Sequence, residues 1–259
     1  MSRKLCRADS VTSAAVRTFR DHQGTLYEEG TRILREVYPQ HAEDVLSWIE
    51  SPLARRWMQE HRLMSTEILA SEPDQRITLE HERVFFPSYP WEWTPGQWIS
   101  AATLTLDLCE ETLDEGFILK DATSLNILFS GSRPILVDVL SLERRDSASP
   151  IWLAYAQFAR TFLLPLAAYV YLGWPLAATQ QRRDGYEPAD LAPWLSVFRR
   201  WRYPLRSLVT LPLLLEGSFL EKKAQSNAYR PNVPEDVADA ILRRTLRTAR
   251  RQLDSLRPP

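Results

Sequence analysis

Apolar positions change their period several times along this chain. Residues 1–15 carry no sustained pattern and read as a loose N-terminal arm. From Val16 short apolar runs alternate with turn residues, predicting three strands at Val16–Arg20, Thr25–Glu28 and Arg32–Tyr38. Over residues 40–64 the spacing turns helical, with Val45, Trp48, Ile49, Leu53 and Trp57 on one face. A break follows at Ser71–Asp74, then an alternating strand over Ile77–Phe86 that runs into PSYPWEWTP. Thr94-Pro95-Gly96-Gln97 has the residues of a capping box with proline at the first helical position, and Trp98, Ala101, Ala102, Thr105, Leu108 and Cys109 mark the buried stripe behind it. Gly116 ends that helix. Three very short strands follow, at Phe117–Leu119, Ile127–Phe129 and Ile135–Val137, with polar residues at their junctions.

Beyond Pro150 the pattern is mostly helical. Ile151–Ala178 is apolar enough to resemble a membrane span on hydropathy, but Gln157, Arg160, Pro165 and Pro175 favour a buried helix. Residues 205–221 form a second apolar stretch interrupted by Pro212. From Pro234 an amphipathic helix sets Ile241, Leu242, Leu246, Ala249 and Leu253 against a basic side of Arg243, Arg244, Arg247, Arg250 and Arg251. Such a basic face is ordinarily a solvated one; its sharper reading is a docking surface for a partner protein.

Composition narrows the function classes. The 259 residues carry 32 Lys+Arg against 33 Asp+Glu, so nucleic acid is not expected as the main partner. Two cysteines, Cys6 and Cys109, in no CxxC arrangement, and a polar N-terminus point to a reducing cytoplasm. The four histidines lack metal-ligand spacing. Only eight glycines are present, and no GxGxxG, Walker or GxSxG motif occurs.

The chemistry concentrates in LKDATSLNILFSGSRPILVD. Asp121 follows a short strand, Asn126 comes five residues later, and a tight hairpin returns the chain to Asp138. Two carboxylates and an amide are hard oxygen donors of the kind Mg²⁺ shares with phosphates, and a carboxylate left over can take a proton from a hydroxyl. The plain alternative is that these residues cap turns.

This run resembles the catalytic loop and metal-binding acid of the protein-kinase-like superfamily, which includes the aminoglycoside and choline kinases. The resemblance implies an α+β, two-lobed protein-kinase-like fold, with a β-rich N-terminal lobe over 16–90, a hinge at 87–93 and a larger helical lobe over 94–259. It implies Asp121 as the residue that positions or deprotonates the acceptor, Asn126 and Asp138 as Mg²⁺ ligands, and ATP as cofactor. Ser88 and Tyr89 would sit at the adenine end, with Lys120 and Arg35 as phosphate contacts. Leu119-Lys120 stands where His-Arg is usual, Val139-Leu140 where Phe-Gly is usual, and Arg35 where a lysine is usual, although the two cations are not equivalent. Beyond this, the runs FRDHQG, HERVFFPSYPWEW, AATLTLDL, RPILVDVLSLE and AYAQFARTFLLPL resemble the N-terminal region of bacterial proteins called class I SAM-dependent methyltransferases or nodulation proteins. The chain then reads as a free-standing kinase-like part. The expected function is an ATP- and Mg²⁺-dependent phosphotransferase acting on a small-molecule acceptor. The alternatives are an inactive nucleotide-binding or docking module that partners a separate methyltransferase, and a nucleotide-using ligase or nucleotidyl transferase on the same site.

Overall fold

A computed structural model of the chain describes residues 23–71, 76–215 and 233–258. They fall into two compact units, one taking in the residues up to Glu43 together with Ser65–Arg83, the other Asp44–Met64 and everything from Val84 on.

The first unit is built on a four-stranded antiparallel sheet. β1 (Gly24–Glu29) and β2 (Arg32–Val37) form a hairpin, and β4 (Ile77–His81) and β3 (Thr66–Ser71) complete the order β1-β2-β4-β3. The hairpin turns at Gly30, whose φ of 63° is one that a Cβ disfavours. β2 and β4 lie centrally; β4 buries alternate residues, Ile77, Leu79 and His81, while β2 buries Leu34, Arg35 and Val37. Gly24 opens β1 opposite Val37. The expected strand at Val16–Arg20 lies outside the described residues. β3 has no counterpart in the sequence reading, and the strand expected over Ile77–Phe86 ends at His81, leaving Phe85 and Phe86 exposed.

The expected helix over 40–64 is two, α1 (Pro39–Ile49) and α2 (Pro52–Gln59). Ser51 caps α2, its Oγ accepting from Ala54 N–H, and Pro52 takes the first helical position. Proline cannot donate to the preceding turn, so the first helix must stop before it. Trp48 and Trp57 pack edge to face, and Trp48 meets Phe117 in the same way.

In the second unit α3 (Pro95–Asp114) carries the capping box read from its sequence: Thr94 Oγ1 accepts from Gln97 N–H, and Gln97 Oε1 accepts from Thr94 N–H. Two small ladders follow. β5 (Phe117–Leu119) pairs with β8 (Leu142–Arg144), and β6 (Ile127–Ser130) pairs with β7 (Arg133–Leu136). A helical run made of Tyr155–Phe158, the wider π turn Ala159–Leu163 and Leu164–Leu172, together α4, is buried through Phe158, Phe162, Leu163, Leu166 and Ala167. Among the described residues no helix is long and apolar enough to cross a membrane. The C-terminal helix α5 (Glu235–Asp254) buries Leu242, Leu246, Ala249 and Leu253. An N-terminal antiparallel sheet followed by a mostly helical region is the order that the protein-kinase-like resemblance implies.

Candidate functional site

The two small ladders bring the polar junctions together. In register, Leu119 lies opposite Leu142 and Ile127 opposite Leu136. Asp121 comes two residues after the end of β5 and Asp138 two after the end of β7. Asn126 directly precedes β6, and Ser141 directly precedes β8. Apolar strand residues anchor each side, so the polar ends are held at one locus. Backbone hydrogen bonds close it: Val137 N–H donates to Asn126 O at 2.9 Å and Lys120 N–H to Ser141 O at 2.9 Å.

The side chains are linked in a chain. Asn126 Nδ2 donates to Ser141 Oγ at 2.8 Å, and Ser141 Oγ donates to Asp138 Oδ2 at 2.7 Å. Asp138 Oδ1 accepts from Leu140 N–H at 3.3 Å, so this acid also caps the short 3₁₀ turn Val139–Ser141. Capping and metal binding are compatible here, because each carboxylate oxygen keeps a further lone pair. Asn126 uses its N–H group on Ser141 and, weakly, on the Asp121 backbone oxygen at 3.5 Å; among the described residues its side-chain oxygen accepts no hydrogen bond.

Asp121 differs from its neighbour acid. Burial raises its carboxyl above the usual aspartate range, and the charge of Asp138 raises it further. Nearby Gln157, Asn126 and the Thr123 N–H pull it down by less. Its Oδ1 is buried and accepts no hydrogen bond. Gln157 and Thr161, one turn apart on α4, hold the loop's backbone: Ala122 N–H donates to Gln157 Oε1 at 2.7 Å and Ser124 N–H to Thr161 Oγ1 at 3.2 Å. Trp152 Nε1 donates to Leu119 O at 2.8 Å just upstream.

The chemistry of this donor set fits Mg²⁺. Asp138 and the side-chain oxygen of Asn126 are hard oxygens held close through Ser141, and Asp121 lies beside them. Groups of three or more His, Cys, Asp or Glu side chains able to hold a metal do not occur among the described residues, so an ion here would complete its shell with phosphate or water oxygens.

The other residues singled out in the sequence take no part in this hydrogen-bonded set. Lys120 lines a pocket of about 310 Å³ with Glu143, Arg144, Arg145 and Asp146. Arg35 belongs to the sheet unit, 8% exposed, between Leu26 and Leu79 on the neighbouring strands. Ser88 is engaged by Trp93, whose Nε1 lies 3.2 Å from both its O and its Oγ. The Tyr89 ring stacks on Trp91 at 5.1 Å, and Tyr89 N–H donates to Glu92. Trp93 is buried, edge to face with Trp98 and Phe129, the packing role ordinary for a core tryptophan. Cys109 is buried and free, its thiol pushed up to about 12 by burial, and is no nucleophile at neutral pH.

Three supporting residues escape a reading of the 120–138 run: Ser141, Gln157 and Thr161. The signal for the last two is a pair of polar residues four apart on the apolar α4, on one helix face.

No family model matches the chain. It is 29% identical over 255 residues to the nodulation protein NoeA of Rhizobium meliloti (strain 1021), covering 92% of this chain and 52% of that protein. The chain thus spans about half the length of this curated relative. Among solved structures it is similar to vaccinia related kinase 3, at 12% identity and a TM-score of 0.40 over 90% of this chain and 87% of that one. It is also similar to the PknI kinase domain of Mycobacterium tuberculosis, at 16% identity and a TM-score of 0.33 over 66% of this chain and 79% of that one.

Proposed function

We propose that the chain is a phosphotransferase that uses ATP and Mg²⁺ and acts on a small-molecule hydroxyl. The observation that carries this reading is the hydrogen-bonded chain from Asn126 through Ser141 to Asp138, set beside a carboxyl whose Oδ1 is buried and unbonded. In this reading Asp138 and Asn126 hold the metal, Ser141 fixes their spacing, and Asp121 orients the acceptor. A hydroxyl donating to Oδ1 would satisfy that orphaned atom, and the raised proton affinity of Asp121 suits it to take the hydroxyl proton as the oxygen attacks. Bound Mg²⁺ would offset the negative charge of the phosphates during transfer. Lys120 enters as a phosphate contact from the resemblance, since the pocket it lines includes none of Asp121, Asn126 and Asp138. Arg35, Ser88 and Tyr89 enter from the resemblance alone. A separately encoded methyltransferase, if it binds this chain, docks elsewhere than on the buried face of α5.

Thermal melting with ATP, with and without Mg²⁺, tests the reading. A ligand bound only by the folded state stabilises it by about 2.7 kcal/mol at a hundredfold excess over Kd. Mg²⁺-ATP should raise Tm, and Asp138→Ala should remove most of the rise. Asp121→Asn should keep the rise while ATP turnover falls by roughly 10²–10⁴-fold. The raised carboxyl also predicts a stability effect: the folded state disfavours ionised Asp121, so stability falls as pH rises from the ordinary aspartate range through the raised value, and Asn removes that loss. A wild type indifferent to Mg²⁺-ATP would overturn the proposal.

A further inference from the structure

Residues 191–215 contain four arginines, Arg199, Arg200, Arg202 and Arg206, and no aspartate or glutamate. None of the four forms an ion pair among the described residues, and Arg199, Arg202 and Arg206 are exposed. Interleaved with them are large rings facing solvent: Phe198 is 89% exposed, Trp194 69%, Tyr203 54% and Trp201 53%. Leu211 and Leu214, just beyond, are exposed as well.

Local contacts hold this segment, and one pocket brings Arg199, Arg202 and Tyr203 together. Ser196 caps the turn Val197–Arg200, its Oγ accepting from Arg199 N–H. Arg199 Nη1 donates to Tyr171 O at 3.1 Å, Thr210 Oγ1 donates to Arg200 O at 2.7 Å, and Trp194 meets Trp174 edge to face. A pocket of about 430 Å³ opens between Arg199, Arg202, Tyr203, Val170 and Tyr171. Asp254, an acid that acts on Tyr203, is itself paired with Arg257 at 3.1 Å.

We propose that this surface docks the protein onto an anionic lipid bilayer, with the pocket between Arg199 and Arg202 receiving a headgroup phosphate. Large apolar side chains exposed this densely within one short segment mark an interaction site. Tryptophan and tyrosine settle at headgroup depth because each ring has an apolar body and a polar tip, while phenylalanine and leucine reach the acyl boundary. Guanidinium forks bind phosphate in two-point geometry, and an anionic leaflet attracts clustered cations within a Debye length. The absence of any acid across the segment decides between a membrane and a protein partner. A protein face would have to present acids alone to match it, whereas an anionic leaflet does so by composition. Attachment of this kind is peripheral and needs no spanning helix.

Co-sedimentation of the full chain with vesicles tests it, using phosphatidylcholine alone and phosphatidylcholine mixed with phosphatidylglycerol. The expected result is binding to the mixed vesicles only. Binding should weaken about tenfold or more in Arg199→Gln/Arg202→Gln and again in Phe198→Ser/Trp201→Ser. Phe198→Ser/Trp201→Ser should melt like the wild type, since those side chains face solvent, and Arg199→Gln/Arg202→Gln slightly below it, since Arg199 also gives up its bond to Tyr171 O. No binding to anionic vesicles, binding that ignores lipid charge, or binding equal in wild type and variants would overturn the proposal. So would a change confined to self-association on size-exclusion chromatography, which would make the face a contact between protein copies.

Discussion

The arginines of α5 and those of residues 199–206 have different surroundings. Arg250 reaches Asp107 and Glu110 on α3 at 2.6 and 3.2 Å, and Arg243 reaches Asp114 at 2.7 Å and Asp239 at 2.6 Å. Arg145 reaches Asp239 of the same helix at 2.8 Å. Arg199, Arg200, Arg202 and Arg206 meet no acid among the described residues. Both stretches are rich in arginine, yet part of the basic side of α5 is neutralised internally while the other segment keeps its charge. A run of arginines therefore says little about docking until its acids are located, and those of Arg250 lie 143 and 140 residues back along the chain.

Truncating the core of α5 should give the largest effect. Leu246 is buried within the second unit, so Leu246→Ala should cost about 2–5 kcal/mol of stability, read from the denaturant midpoint at unchanged slope. A cost near zero would mean that α5 is a detachable face after all and would break the contrast.

Removing a neutralising pair comes next. Arg250→Gln should cost about 1 kcal/mol or less, because the pair is part-exposed and screened by water and salt. Acid sharpens the same point. The Arg243 hydrogen bond, aided by Arg145, holds the Asp239 carboxyl below the usual range against the opposing effect of its burial. Its contribution to stability is therefore complete above the ordinary aspartate value and is lost as pH falls through the lowered one. Asp239→Asn should flatten that part of the stability-pH curve, and a curve left unchanged would remove Asp239 from the account.

The smallest effect belongs to the open segment. Arg202→Gln should change stability by less than about 0.5 kcal/mol at any pH where the protein is folded, measured by the same denaturant series. A cost comparable to that of Arg250→Gln would show that an acid does face Arg202 and would erase the difference between the two regions.

Much of the candidate site was legible because its determinants are local. The spacing of Asp121, Asn126 and Asp138 follows from strands of three and four residues and one hairpin turn, and backbone geometry then places the three junctions side by side. The cap of α3 was legible for the same reason, since Thr94 and Gln97 are three residues apart. The split between α1 and α2 was written in Ser51-Pro52 but masked by apolar spacing that continues through it. β3 was missed because six residues outside a clear alternation carry little periodic signal, and its place beside β4 is set by pairing rather than by propensity.

By itself, then, the sequence determined what depends on neighbours within a few positions: helix starts, turns, the oxygen-donor junctions and the basic and apolar sides of α5. Only the tertiary structure decided what depends on contacts across long separations. Ser141 bridges Asn126 and Asp138, Gln157 comes 35 residues down the chain to hold the loop of Asp121, and α3 supplies the acids that neutralise α5. The physical reason is that burial and Coulomb forces act through space. The same carboxyl or guanidinium is a solvated charge, a structural partner or a reactive group according to what the fold sets within a few ångströms of it.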